Sequence, residues 1–178
     1  RGLAKRFGDT RVLSGVDLGF QPDHVLTVGI GLTDSRYSTQ QQRLRFYERL
    51  EERVRALPGV QALAYANRMP MRGGWSSGIQ LDLGGRNISP DFQAVSAGYF
   101  DTLGIPMLAG GRFPVGVVPS PPGVILNETL ARRLWPRESA VGHSITIGCE
   151  SRRAELVLGV VRDSALTAIG ESPQPHLY

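Results

Sequence analysis

The chain is poor in the residue types on which the commonest site chemistries depend. Its one cysteine, Cys149, excludes an internal disulfide and a cysteine-based metal cluster. It leaves the redox compartment open, because many extracytoplasmic domains carry no disulfide. The one lysine, Lys5, lies in the N-terminal leader, so there is no phosphate loop of the Gly-Lys-Ser/Thr type. The three histidines, His24, His143 and His176, lack ligand spacing and read as surface histidines rather than metal ligands. Aromatic residues are 7% of the chain and do not cluster with the basic ones, which argues against nucleic acid as a partner. No apolar run approaches the roughly 18 residues needed to span a bilayer, and the N-terminus lacks the apolar region of a signal peptide. Any membrane attachment is therefore expected outside these residues.

What is present is a foldable composition. The 178 residues are 41% hydrophobic and 20% charged, enough for one domain or two small lobes with a core of their own. Twenty-two glycines and twelve prolines predict many turns and short elements. The net charge of +4 comes largely from arginines interleaved with glutamates, as in Arg45, Arg49, Arg53 and Arg55 among Glu48, Glu51 and Glu52, the pattern of a solvated helix face.

Along the chain, residues 1–15 form a basic leader, either frayed or a stalk beside a membrane. Apolar alternation predicts a first strand over Val25 to Leu32. Ser38 and Thr39, each followed three residues later by a glutamine (Gln41, Gln42), offer two capping-box registers for a helix from about Thr39 to Leu57. Its stripe Phe46, Leu50, Val54 and Leu57 is expected to lie on a sheet made from that first strand and a second over Val60 to Ala66. Asn67 to Gly78 reads as a loop, Ile79 to Leu83 and Phe92 to Val95 as strands, Gly98 to Leu103 as one helical turn and Ile105 to Phe113 as a return. Val115 to Gly123, with four prolines or glycines among its last five residues, is the best linker candidate. Beyond it come a strand at Val124 to Leu126, a short helix capped by Asn127 and stopped by Pro136, strands near Ser144 to Ile147 and Leu156 to Val161, and a loop-like end from Ser164 to Tyr178.

Five places imitate known site chemistry, and none of them forms a site in the sequence. Gly29-x-Gly31 lacks the third glycine of a dinucleotide fingerprint, which would fall at Asp34. Gly74-Trp75-Ser76-Ser77-Gly78 imitates a nucleophile elbow but is not followed by a helix. Asp82 and Asp91 read as solvated carboxylates beside turns, and Cys149 as a packed or partly exposed thiol. Asn127-Glu128-Thr129 matches a glycosylation sequon, but a helix cap explains it better. No catalytic, cofactor-binding or metal residue is assigned.

Several ordered strings carry a family resemblance. They are Asp17-Leu18-Gly19-Phe20-Gln21-Pro22-Asp23, Leu57-Pro58-Gly59-Val60, Gly98-Tyr99-Phe100-Asp101-Thr102-Leu103-Gly104-Ile105-Pro106, Asn127-Glu128-x-x-Ala131-x-x-x-Trp135-Pro136 and Leu158-Gly159-Val160-Val161-Arg162-Asp163. Together they resemble the extracytoplasmic core domain of MacB-like, FtsX-type ABC transporter permeases, over roughly residues 16–178. The resemblance implies an α+β fold of two small lobes: a porter-like α/β sandwich lobe over 16–118 and a second small α+β lobe over 119–178 inserted in it. It implies a non-catalytic, cofactor-free ectodomain on the periplasmic side of the inner membrane. As partners it implies the protein's own transmembrane helices and a cytoplasmic ABC ATPase, whose work the domain transmits mechanically for export or for substrate or lipoprotein handling. It leaves room for a second permease copy and an envelope partner protein. Ala140 and His143 stand where the family pattern has proline and lysine, and the sequence is expected to be a piece of the ectodomain whose final strand comes from beyond Tyr178. The alternatives are a free-standing extracytoplasmic binding module and a soluble α/β enzyme.

Overall fold

The computed structural model describes residues 3–7, 10–70, 81–82, 87–114, 123–147, 153–165 and 167–178. In chain order the elements are β1 (Leu3–Phe7), β2 (Thr10–Val16), α1 (Gln40–Arg55), β3 (Leu81–Asp82), β4 (Asn87–Ile88), β5 (Asp91–Phe92), α2 (Tyr99–Thr102), β6 (Met107–Gly110), β7 (Gly123–Asn127), α3 (Glu128–Leu134), β8 (Ser144–Ile147), β9 (Arg153–Val161) and β10 (His176–Leu177). This is a mixed fold with few helices. Strands β1 and β2 form a separate antiparallel hairpin, so the described part of the leader is paired rather than frayed.

The other eight strands form one mixed sheet, ordered β4-β3-β8-β9-β7-β10-β5, with β6 also pairing to β9. Nine-residue β9 is its spine. Parallel β7 lies along one side, while β8 and β6 share the other, β8 on the first half and β6 on the second. Gly159 makes this possible: a Cβ there would stand 2.4 Å from the Gly111 carbonyl oxygen and 2.6 Å from Met107 Cε. The sheet takes strands from both segments of the sequence division at 118/119; most of the expected linker lies at 115–122, outside the described residues.

The central strands are buried on both faces, which explains their continuous apolar runs. Side chains alternate between two clusters. Val124, Leu126, Val157, Val160 and Leu177 pack with α3 through Leu130 and Ala131. Ile125, Val161 and Tyr178 pack on the other face with Tyr99 and Phe100 of α2, Leu103 and Ile105.

Helix α1 is where the sequence places it, and Thr39 closes a capping box with Gln42 as expected. Its surroundings differ from the expectation. Neither Val25 to Leu32 nor Val60 to Ala66 is a strand; the latter contributes one bridge, Ala66 to Val95. Alternation marks a strand only where a neighbour accepts its backbone and a layer covers its apolar face, and here Leu26 is 88% and Val28 70% exposed. No residue of α1 is buried: Phe46, Leu50 and Val54 are half-buried and Leu57 is exposed. The helix is tied instead by aromatic edges running Tyr37–Phe46–Tyr47–Tyr65 at 5.2, 5.4 and 5.2 Å. Tyr65 is joined to the body through its amide to Ser96 Oγ and its carbonyl to the Ser96 amide, both at 2.9 Å.

The expected loop-like end is also revised, because β10 lies inside the sheet between β7 and β5. Two residues of strand carry too little periodicity to be seen in sequence. Of the expected strand Ile79 to Leu83, the residues Ile79, Gln80 and Leu83 lie outside the described residues, as do Met71 to Gly78 of the expected loop.

The burial contrast sets an expected ranking. Leu126→Ala, on a fully buried side chain, should cost about 3–5 kcal/mol, and Leu50→Ala about 1 kcal/mol, in urea unfolding. Equal losses would show that the α1 stripe is core after all.

Candidate functional site

Four of the five strings that carry the resemblance, all but Leu57-Pro58-Gly59-Val60, meet at one joint, where the ends of β7 and β9 face the start of α3 and the N-terminal segment. Asn127 is the last residue of β7 and the cap of α3, and it is buried. Its Oδ1 accepts from the Leu130 amide at 3.0 Å and from the His176 amide at 2.8 Å. Its Nδ2 donates to Asp163 Oδ1 at 2.6 Å and to the Gln174 carbonyl at 2.8 Å. One side chain thereby holds the end of β7, the start of α3, the exit of β9 and the entry to β10.

Asp163 completes the cap. Its Oδ1 accepts from the Thr129 amide at 3.0 Å and its Oδ2 from Thr129 Oγ1 at 2.7 Å, placing a carboxylate at the positive end of α3. The sequon reading of Asn127 is excluded by the same geometry, because its amide nitrogen is buried and fully engaged.

The N-terminal segment is stitched to this point. The Ala165 amide donates to the Leu18 carbonyl at 2.8 Å, and the Gln21 amide to the Leu103 carbonyl at 2.7 Å. Asp17 Oδ1 accepts from the Gly19 amide at 2.9 Å and Oδ2 from Arg162 at 2.6 Å. The Gly19 amide, and then Arg162, hold the Asp17 carboxyl below its usual value. Gly19 has φ of 73°, and a Cβ there would lie 2.1 Å from the Asp163 carbonyl oxygen. Only glycine allows that approach.

The structure separates the other sequence candidates. Asp82 in β3 and Asp91 in β5 stand five strands apart, roughly 24 Å at ~4.8 Å per strand. Asp91 pairs with Arg68 at 2.5 Å. His24 is exposed in a turn with φ of 62°, and His143 stacks on Trp135 at 4.7 Å. His176 departs from the surface reading: it is fully buried in β10. Gly29 and Gly31 face open space. Gly74 to Gly78 and Cys149 lie outside the described residues. Among the described residues no group of three His, Cys, Asp or Glu side chains could hold a metal, and no helix is long and apolar enough to cross a membrane. Sequence reasoning found the Asn127 cap but missed its partner Asp163, 36 residues away, and the burial of His176.

Fold and joint define a mixed α/β domain whose recognisable residues serve architecture. A family profile described as the MacB-like periplasmic core domain matches residues 12–174, and the chain belongs to that family. None of the curated proteins matches it in sequence. Among solved structures it is similar to the periplasmic region of MacB from Actinobacillus actinomycetemcomitans, at 17% identity and a TM-score of 0.50, over 71% of this chain and 59% of that one. It also matches the extracellular domain of the noncanonic ABC-type transporter YknZ from Gram-positive bacteria, at 14% identity and a TM-score of 0.49, over 71% and 58%. A domain of a permease protein from Porphyromonas gingivalis matches at 20% identity and a TM-score of 0.48, over 71% and 53%. The matches span less than three fifths of each of those chains.

The joint yields a graded expectation. Asp163→Ala removes the bonds to Asn127 and Thr129 and should cost about 2–4 kcal/mol in chemical unfolding. Arg162→Ala breaks only an exposed pair with Asp17 and should cost under about 1 kcal/mol. A reversed order would remove Asp163 from the centre of the joint.

Proposed function

We propose that this chain is the extracytoplasmic domain of an ABC transporter permease subunit that carries out no reaction itself and transmits movement driven by a cytoplasmic ATPase. Family membership supplies the transporter context, and the carrying observation is the joint. The segment 17–21, just after the β1–β2 hairpin, is bonded directly to the exit of β9 and to the end of α2. A displacement arriving at residues 17–21 is therefore passed by these bonds directly to the spine of the sheet. In this reading the domain's partners are its own membrane helices and the ATPase, and its two sequence segments, 16–118 and 119–178, which contribute strands to one sheet, move together as one body. The substrate class handled across the envelope is export cargo or a lipoprotein.

The free-standing binding module is the second reading, favoured by the exposed apolar residues Leu26, Val28 and Ile30, which resemble a surface awaiting a partner. The sequence preceding Arg1 discriminates the two. A roughly 20-residue apolar helix ending shortly before it is expected for the permease, and its absence would favour the module.

Coupling is testable in the intact transporter. Gly19→Val, which forces a side chain against the Asp163 carbonyl, should leave ATP hydrolysis running while transport falls by about tenfold or more. Undiminished transport by a variant whose domain is shown folded by amide exchange would overturn the mechanical reading.

A further inference from the structure

The buried edge of the sheet holds a charge arrangement that the joint does not use. His176 is fully buried, and neither of its ring nitrogens has a hydrogen-bond partner among the described residues. Its Nδ1 lies 3.7 Å from Asp91 Oδ2, and the same oxygen is paired to Arg68, whose side chain is almost fully buried. The Tyr178 ring stands 4.4 Å from the imidazole. From β7 the neutral Asn127 amide meets the His176 backbone; the charged groups acting on the ring among the described residues are Asp91 and Arg68.

We propose that His176, Asp91 and Arg68 form a proton-operated clasp that holds β10 against β5 while the imidazole is neutral and lets this edge of the sheet open when it is protonated. The strands concerned are short. They are joined by the Asp91 amide to the Pro175 carbonyl at 2.9 Å and the Gln93 amide to the Leu177 carbonyl at 3.0 Å. Protonation puts a second cation beside one carboxylate. Both can share its two oxygens, but one carboxylate balances only one cation, so the group gains a positive charge in a largely buried place, a desolvation penalty that opening to water relieves.

Burial outweighs the pull of Asp91 and lowers the His176 pKa to about 4 from 6.5. The closed edge thus binds fewer protons than the open one, so closure is fully favoured above pH 6.5 and weakens as pH falls toward 4. The physiological trigger, though not the clasp, rests on the proposed extracytoplasmic placement, where external acid reaches the domain.

Amide exchange and imidazole NMR on the whole chain, with His24→Gln and His143→Gln used to assign the resonances, test this. His176 should titrate near 4, and opening at the Asp91 and Gln93 amides, corrected for intrinsic rates, should rise about a hundredfold between pH 7.5 and 4 while Val157 and Val160 stay protected. His176→Phe should abolish that rise, and His176→Gln serves if the phenylalanine variant does not fold. The clasp is overturned if His176 titrates at or above 6.5, if the non-titrating variant opens with the same pH dependence, or if all four amides lose protection together.

Discussion

The four hydrogen bonds of the Asn127 side chain are the constraint on which the rest of this structure depends. One is the bond a cap makes in any short helix; the other three reach β9's exit and β10's entry, segments 36 or more residues away. A buried amide with all its capacity engaged specifies geometry strongly, because losing any partner leaves a polar atom in a dry site. Asn127 therefore sets both where α3 starts and where the C-terminal strand enters the sheet.

Around that point the fold is divided by firmness. The sheet spine, β7 with β9, has a cluster on each face, and α2 and α3 close them. By contrast α1 is attached through a chain of aromatic edges and the Tyr65–Ser96 bonds, with no buried residue of its own. A firm centre receiving the N-terminal segment, beside a loosely tethered helix, suits a part that is moved as a unit and leaves surfaces available. Here the strongly perturbed groups, Tyr99, His176 and Tyr178, are enclosed in the core.

The exposed apolar side chains fall mainly in and around α1 in the chain, at Leu26, Val28 and Ile30 before it, Leu44 within it, and Leu57 and Val60 after it. In the proposed setting this is the stretch on which further chain or a partner would gain most by packing, since each covered aliphatic side chain contributes roughly 1.5–3 kcal/mol. The acid-sensitive edge at His176 lies in the main sheet. The two features are thus carried by different parts of the domain.

The sequence by itself determined what local physics can determine. Thr39 with Gln42 started α1, Asn127 and Pro136 bounded α3, and the apolar runs at 124–126 and 156–161 marked strands, because caps, breakers and apolar runs act within a few residues. The family strings were legible too, though the reason for them was not: Gly19, Asn127 and Asp163 are spread over the chain and matter through mutual contact. Only the tertiary structure decided that Val25 to Leu32 stays unpaired, that a two-residue β10 enters the sheet, and that His176 is buried beside Asp91 and Arg68. Each depends on whether a distant segment arrives to accept a backbone bond or exclude water, and such arrivals leave no periodicity in the neighbouring residues.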